Sequence, residues 1–234
     1  KTLPAAGEGP VRILYLSNLV ESKGWLEVLE AVRLLRDRLG PRIRCDFHGL
    51  FLANPADDRR ITSAEQARGT FEAFVARHGL HEVVRYGGVA SGEAKRQALA
   101  GAHFFVLPTR YNNEGQPVSI IEAMAHGNVV VSTDYRAIPD MVVDGETGAL
   151  VPCGDPAALA DAIGGLIEDP ARYAAMSRAA VERFRRRFTR RGHLDAILPH
   201  LLEEAGPGGD EAAAPRGINT GRTRPADALT RDAG

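Results

Sequence analysis

Residues 103–132 read HFFVLPTRYNNEGQPVSIIEAMAHGNVVVS. The opening apolar run, 103–107, predicts a short buried strand, stopped by Pro108. A polar loop follows at 109–116. Pro117 then opens a helix, because the N–H it lacks would be unpaired in a first helical turn anyway. That helix runs to His126 and stops at Gly127, and 129–132 predicts the next strand. A strand, a helix and a strand in so short a span point to a parallel sheet with crossover helices.

The same alternation extends in both directions. Upstream, 11–17, 43–48 and 83–86 read as strands. Leu26, Leu29, Val32 and Leu35 recur at three-residue steps and predict a helix over 25–39, ended by Gly40-Pro41. A second helix, over 64–78, carries Phe71, Phe74 and Val75 on one face, with Trp25, Phe71 and Phe74 expected in the core. Ser91 is expected to cap a third helix that runs to about 100. Downstream, Ile138-Pro139 starts a short helical turn, 149–151 is a sixth strand, and two or three helices finish the domain before 205. The expected architecture is α/β, a Rossmann-like parallel sheet of about six strands with helices on both faces. Such sheets bind ligands beyond the carboxyl ends of their strands. The loops 18–24, 49–62, 87–91, 108–117 and 133–140 therefore frame any site.

Three segments are expected. Residues 1–10 are a Pro/Gly/Ala linker, 11–205 form the Rossmann-like domain, and 206–234 form a disordered tail. That tail has six glycines and three prolines and almost no large apolar residue, too little to offset ordering entropy. The chain begins at Lys1 with no secretory signal after it, and reads as a fragment.

Composition narrows the function classes. The chain has 234 residues, a net charge of −1, 44% hydrophobic and 25% charged residues, which is ordinary for a globular domain. No global basic field points to nucleic acid. No run of 18 apolar residues spans a membrane. Cys45 and Cys153 make neither a disulfide framework nor a metal spacing, and the default compartment is reducing. The histidines show no ligand spacing, and no D-x-D triplet or other cluster of metal ligands is visible. Only Lys1, Lys23 and Lys95 among the 29 basic residues are lysines.

The chemistry concentrates in 113–125, NEGQPVSIIEAMA. Glu114 lies in the loop after a strand, and Gly115 lets a ligand approach the backbone closely. The N–H groups past Pro117 are free to meet an anion, helped by the positive helix end. Glu122 lies about 7.5 Å further along the helix, at 1.5 Å per residue. Two carboxylates on either side of such an anion suit a ligand with hydroxyls on both sides of a diphosphate, which describes a nucleotide sugar. A cation must sit opposite, and Lys23, in Ser22-Lys23-Gly24, supplies a compact point charge. The plainer readings are that Glu114 complements the helix dipole and that Glu122 is a solvated helix residue.

The run from Glu114-Gly115-Gln116-Pro117 to Glu122 and Gly127 resembles the two-glutamate signature of retaining glycosyltransferases of GT-B architecture, glycosyltransferase family four. The Lys23-Gly24 turn resembles that family's basic phosphate loop. Segments 84–88, 105–109, 138–140 and 144–151 match in order, and the resemblance covers about 11–190. It implies the carboxyl-terminal, donor-binding half. Lys23 and Glu114 would be catalytic, with Glu114 on the donor sugar's hydroxyls. Glu122 would bind the ribose. Lys23 and the N–H groups near Gly115, Gln116 and Val118, with Pro117 between them, would hold the diphosphate. The base would lie near Gly88 and Val89, and Lys95 would approach that region. Asn18 stands where the family has an arginine on the phosphate, and Arg110 or Arg136 is the expected substitute. Arg136-Ala137 replaces the family's usual Gly-Gly.

The implied reaction transfers a sugar from a nucleotide diphosphate sugar, with retention and without a metal or other cofactor, in polysaccharide biosynthesis. The implied partner is an amino-terminal acceptor-binding domain that the sequence lacks, so the fragment is expected to be weakly active or inactive. The arginine-rich stretch between Arg178 and Arg191 reads as a solvated helix face or as a contact to an anionic membrane surface, and not as a nucleic-acid site. Together these imply a cytoplasmic protein, peripheral on the inner face of the membrane. Two other readings compete. One is a non-catalytic nucleotide-sugar-binding module or inactive relative. The other is a nicotinamide-dependent oxidoreductase, which the absence of G-x-G-x-x-G after the first strand argues against.

Overall fold

A computed structural model of the chain describes residues 1–204. It contains six strands, β1 (Val11–Leu16), β2 (Ile43–His48), β3 (Val84–Tyr86), β4 (Phe104–Leu107), β5 (Val129–Thr133) and β6 (Gly148–Val151). They form one sheet in the order β3-β2-β1-β4-β5-β6, and every neighbouring pair is parallel. Chain order reverses between β1 and β4. There the connections leave in opposite directions and a crevice opens beyond the strand ends.

Right-handed crossovers then fix the helix layers. Helices α1 (Trp25–Leu39) and α2 (Ala64–Arg77) cover one face with α6 (Pro156–Glu168). Helices α3 (Gly92–Gly101), α4 (Val118–Ala125) and the single turn α5 (Ile138–Met141) cover the other, with α7 (Pro170–Arg187) packed on α4. With both faces covered, β4 and β5 are buried at every position, as expected for central parallel strands. Helix α1 buries Trp25, Val28, Leu29, Val32 and Leu35, whereas Leu26, expected in the same stripe, is half-buried and lines a cavity instead.

The fold divides into two units, Lys1–Asp195 and Ala196–Gly234. The boundary between these units falls inside α8 (Arg190–Glu204). The tail expected over 206–234 lies outside the described residues. The lead-in 1–10 is anchored at its start. The Lys1 ammonium donates to the carbonyls of Leu99 and Ala102, and its amino terminus donates to Ser177 Oγ.

Several local expectations change. Pro117 caps α4 from outside, with ψ 112°, and the helix begins at Val118. Ser91 precedes α3 but makes no capping bond. Phe74 is half-buried at the core margin, whereas Trp25 and Phe71 are buried. Its side chain lines a cavity of about 540 Å³ between α1 and α2 and so does not enter the close-packed interior.

Candidate functional site

Two loops meet at the sheet's switch point, one after β1 and one after β4. The first is shaped by Gly24, whose φ of +80° suits glycine and whose added Cβ would lie 2.2 Å from the Pro108 carbonyl oxygen. This close approach seats the Lys23 turn directly against the second loop. Lys23 Nζ donates to both oxygens of Glu114, at 3.0 and 2.8 Å. Thr109 Oγ1 donates to Glu114 Oε2 at 2.7 Å. The Lys23 ammonium also stands 4.4 Å from the Tyr111 ring centroid. The two side chains of the pair are only 17% and 6% exposed, so each charge depends on the other.

The start of α4 faces the same space. No side chain caps it. Among the described residues, the N–H groups of Gly115, Gln116, Val118 and Ser119 have no protein acceptor. Gly115 has an ordinary φ, and a Cβ added there would meet nothing within 4 Å. The protein's own packing therefore does not require a glycine at that position.

Glu122 lies further along α4 and pairs with Lys95 of α3, Nζ to Oε1 at 2.5 Å. Both line a cavity of about 230 Å³ together with Asn18, His48, Val89 and Ser119. Gly88 stands at its edge, with its carbonyl accepting from the Gly49 N–H at 3.0 Å. The structure thus places the expected residues in two adjoining groups. Lys23, Glu114 and the α4 start form one. Asn18, Val89, Lys95 and Glu122 form the other. Loop 18–24 and helix α4 join them. Two of the chain's three lysines sit on the two glutamates of the motif.

Asn18 is turned to another task, its Oδ1 accepting from the Leu50 N–H at 3.2 Å. Of its two expected substitutes, Arg110 is held by Glu21, Nη2 to Oε1 at 3.0 Å. Arg136 is exposed, at a φ of +53° beside Tyr135. Neither guanidinium makes a contact that places it in the missing arginine's role. Among the described residues, no group of three His, Cys, Asp or Glu side chains is placed to hold a metal. No helix there is long and apolar enough to cross a membrane.

The model of the family described as glycosyl transferases group 1 matches residues 4–183. The chain belongs to that family. It is 38% identical over 109 residues to a phosphatidyl-myo-inositol mannosyltransferase of Mycobacterium leprae, covering 45% of this chain and 29% of that protein. The chain spans about a third of the length of the curated relatives it matches. Its fold matches Anabaena HepE, solved in complex with UDP, with a TM-score of 0.70 at 20% identity, over 84% of this chain and 50% of that one. It also matches the carboxyl-terminal domain of a group 1 glycosyl transferase, LpcC, from Francisella tularensis, with a TM-score of 0.66 at 21% identity, over 78% of this chain and 88% of that one. The fold is the Rossmann-like carboxyl-terminal domain of GT-B glycosyltransferases, as the family resemblance implied.

In this group 1 glycosyl transferase chain, one buried carboxylate escaped sequence reasoning. Glu21 is 1% exposed and accepts from the N–H groups of Arg59, Arg60 and Ile61 at 3.1, 2.7 and 3.0 Å. It also pairs with Arg60 Nε and Arg110 Nη2. Burial works to raise its pKa, but the Arg60 and Ile61 N–H groups and the Arg60 guanidinium outweigh it and hold the carboxyl below its ordinary value. Glu21 thereby ties together the loops after β1, β2 and β4. Asp58 adds a link from its Oδ1 to the Ser22 N–H at 3.0 Å, and Asp57 one to the Asn112 N–H at 3.2 Å. The only sequence signal for Glu21 is a carboxylate beside the Lys23 turn, which reads equally well as a solvated loop residue.

Proposed function

We propose that this chain is the donor-binding half of a retaining, metal-independent glycosyltransferase that uses a nucleotide diphosphate sugar. The observation that carries the reading is the pairing of both motif glutamates with lysines around the uncapped start of α4. In it the diphosphate lies between Lys23 and the N–H groups of Gly115, Gln116 and Val118. Glu122 accepts from the ribose hydroxyls, the base lies by Gly88 and Val89, and Glu114 faces the donor sugar. The crystal structures of HepE with UDP and with UDP-glucose support a nucleotide sugar as the ligand class. The relatives' names, which include colanic acid and amylovoran biosynthesis, support a glycan acceptor.

As the anomeric bond breaks, negative charge grows on the leaving diphosphate. Fixed N–H groups and the Lys23 ammonium stabilise that charge more than they stabilise the intact donor. Lys23 must then share its protons between Glu114 and a phosphate oxygen. Withdrawing it from Glu114 leaves that carboxylate open to sugar hydroxyls, with Thr109 Oγ1 still holding one oxygen. The acceptor-binding domain, and an anionic membrane surface reached through the arginines of 178–191, belong to the whole protein. The test is sugar transfer by the intact protein with excess EDTA present, with the product's anomeric configuration read by NMR. The expected product keeps the donor's configuration at an unchanged rate. An inverted product, or a rate abolished by EDTA and restored by a divalent cation, overturns the mechanism.

A further inference from the structure

We propose that Lys95 determines the selectivity of this site for an intact ribose diol, by presenting a donor and an acceptor side by side with Glu122. The proposal rests on the donor-site reading above. Lys95 is the fourth residue of α3. A cation in a helix's first turn opposes the macrodipole, so local helix energetics do not account for it. Its ammonium instead crosses to α4 and meets Glu122 Oε1 at 2.5 Å. The side chains are 33% and 29% exposed, and both line the 230 Å³ cavity. The contact is therefore open to a ligand and is not sealed between the helices.

The donor and acceptor count fits a diol. An ammonium carries three donors, and Glu122 uses one of them. Among the described residues, Glu122 Oε2 has no protein partner. The pair thus offers one free carboxylate oxygen and two free N–H groups in one place. Each hydroxyl of a vicinal diol both donates and accepts, so it can donate to Glu122 and accept from Lys95 together. A nucleotide lacking those hydroxyls would leave the two side chains paired with each other and gain nothing from them.

The test is calorimetric titration of the 234-residue chain with UDP, GDP and ADP, and then with the 2′,3′-dideoxy form of the one that binds. Lys95→Met is expected to weaken the ribonucleotide about tenfold, the order expected for a lost hydrogen bond to a charged group. It should leave the dideoxy form unchanged, so the preference between them shrinks by the same factor, and Glu122 keeps the remainder. Lys95→Arg, which keeps charge and donors, is expected to retain part of that factor. Melting temperatures establish that each variant folds. A Lys95→Met chain with the wild-type preference, or one that weakens both ligands equally, overturns the inference while leaving the donor site standing. Binding of none of the three diphosphates, or a Glu122→Ala variant that binds all ligands as wild type, overturns the donor site and this inference with it.

Discussion

Replacing Glu21 by alanine removes the carboxylate that ties three loops to one another. The cost follows from its five partners. The Ile61 N–H is in a buried residue and loses its acceptor outright, a penalty of about 2 kcal/mol. The Arg59 and Arg60 N–H groups lie in exposed residues where water can enter, at about 1 kcal/mol each. Water can replace the two guanidinium contacts at little cost. The expected loss is about 4 kcal/mol, a large share of the stability of an ordinary domain. Glu21→Gln, which keeps one carbonyl acceptor, should lose about half as much. Urea unfolding checks this through a lower midpoint at an unchanged slope. The carboxyl is held below its ordinary pKa in the folded state, so its contribution is present above that ordinary value and fades as pH falls through the lowered one. Glu21→Gln should flatten that acid limb. A loss below about 1 kcal/mol for Glu21→Ala would refute the view that this carboxylate organises the loops.

Other outcomes follow from the same geometry. Gly24→Ala should destabilise strongly, through positive φ and collision with the Pro108 carbonyl. Gly115→Ala should leave the melting temperature unchanged while weakening diphosphate binding; equal thermal effects in the two variants would contradict this assignment. Lys23→Ala should cost about 3 kcal/mol by leaving Glu114 buried without its cation. Combining Lys23→Met with Glu114→Gln should recover part of that loss, and strict additivity of the two single variants would count against the pair. His103 accepts from the Arg12 N–H through Nδ1. Burial, with Lys1 and Arg12 nearby, lowers its pKa from 6.5 to about 4. The unfolded chain therefore takes up a proton before the folded one does, and stability should fall as pH drops from about 6.5 toward 4. His103→Asn should flatten that slope in melting curves, and an unchanged slope would assign it elsewhere.

The alternation of apolar runs and helical periods was enough to read the sheet and its helices, because parallel strands buried on both faces carry little else. The motif from Glu114 to Glu122 was legible for a similar reason: a strand end, a glycine and a proline fix where the loop and helix must lie. What the sequence did not reveal depends on long-range side-chain contacts. Glu21 finds its partners 38 to 40 residues away at Arg59, Arg60 and Ile61. Lys95 meets Glu122 across two helices, where spacing alone gives no register. The Pro117 reading missed by one residue, since proline's φ suits both a first helical turn and the extended position just before it.

The most direct measurement is a crystal structure of this chain soaked with the nucleoside diphosphate that binds it. Phosphate oxygens are expected within hydrogen-bond reach of Lys23 Nζ and the N–H groups at Gly115–Val118, with the ribose against Glu122 and the base beside Val89. A nucleotide bound elsewhere, such as the larger cavity beside Leu26 and Phe74, with Lys23 still paired to Glu114 and the α4 start empty, would contradict that placement.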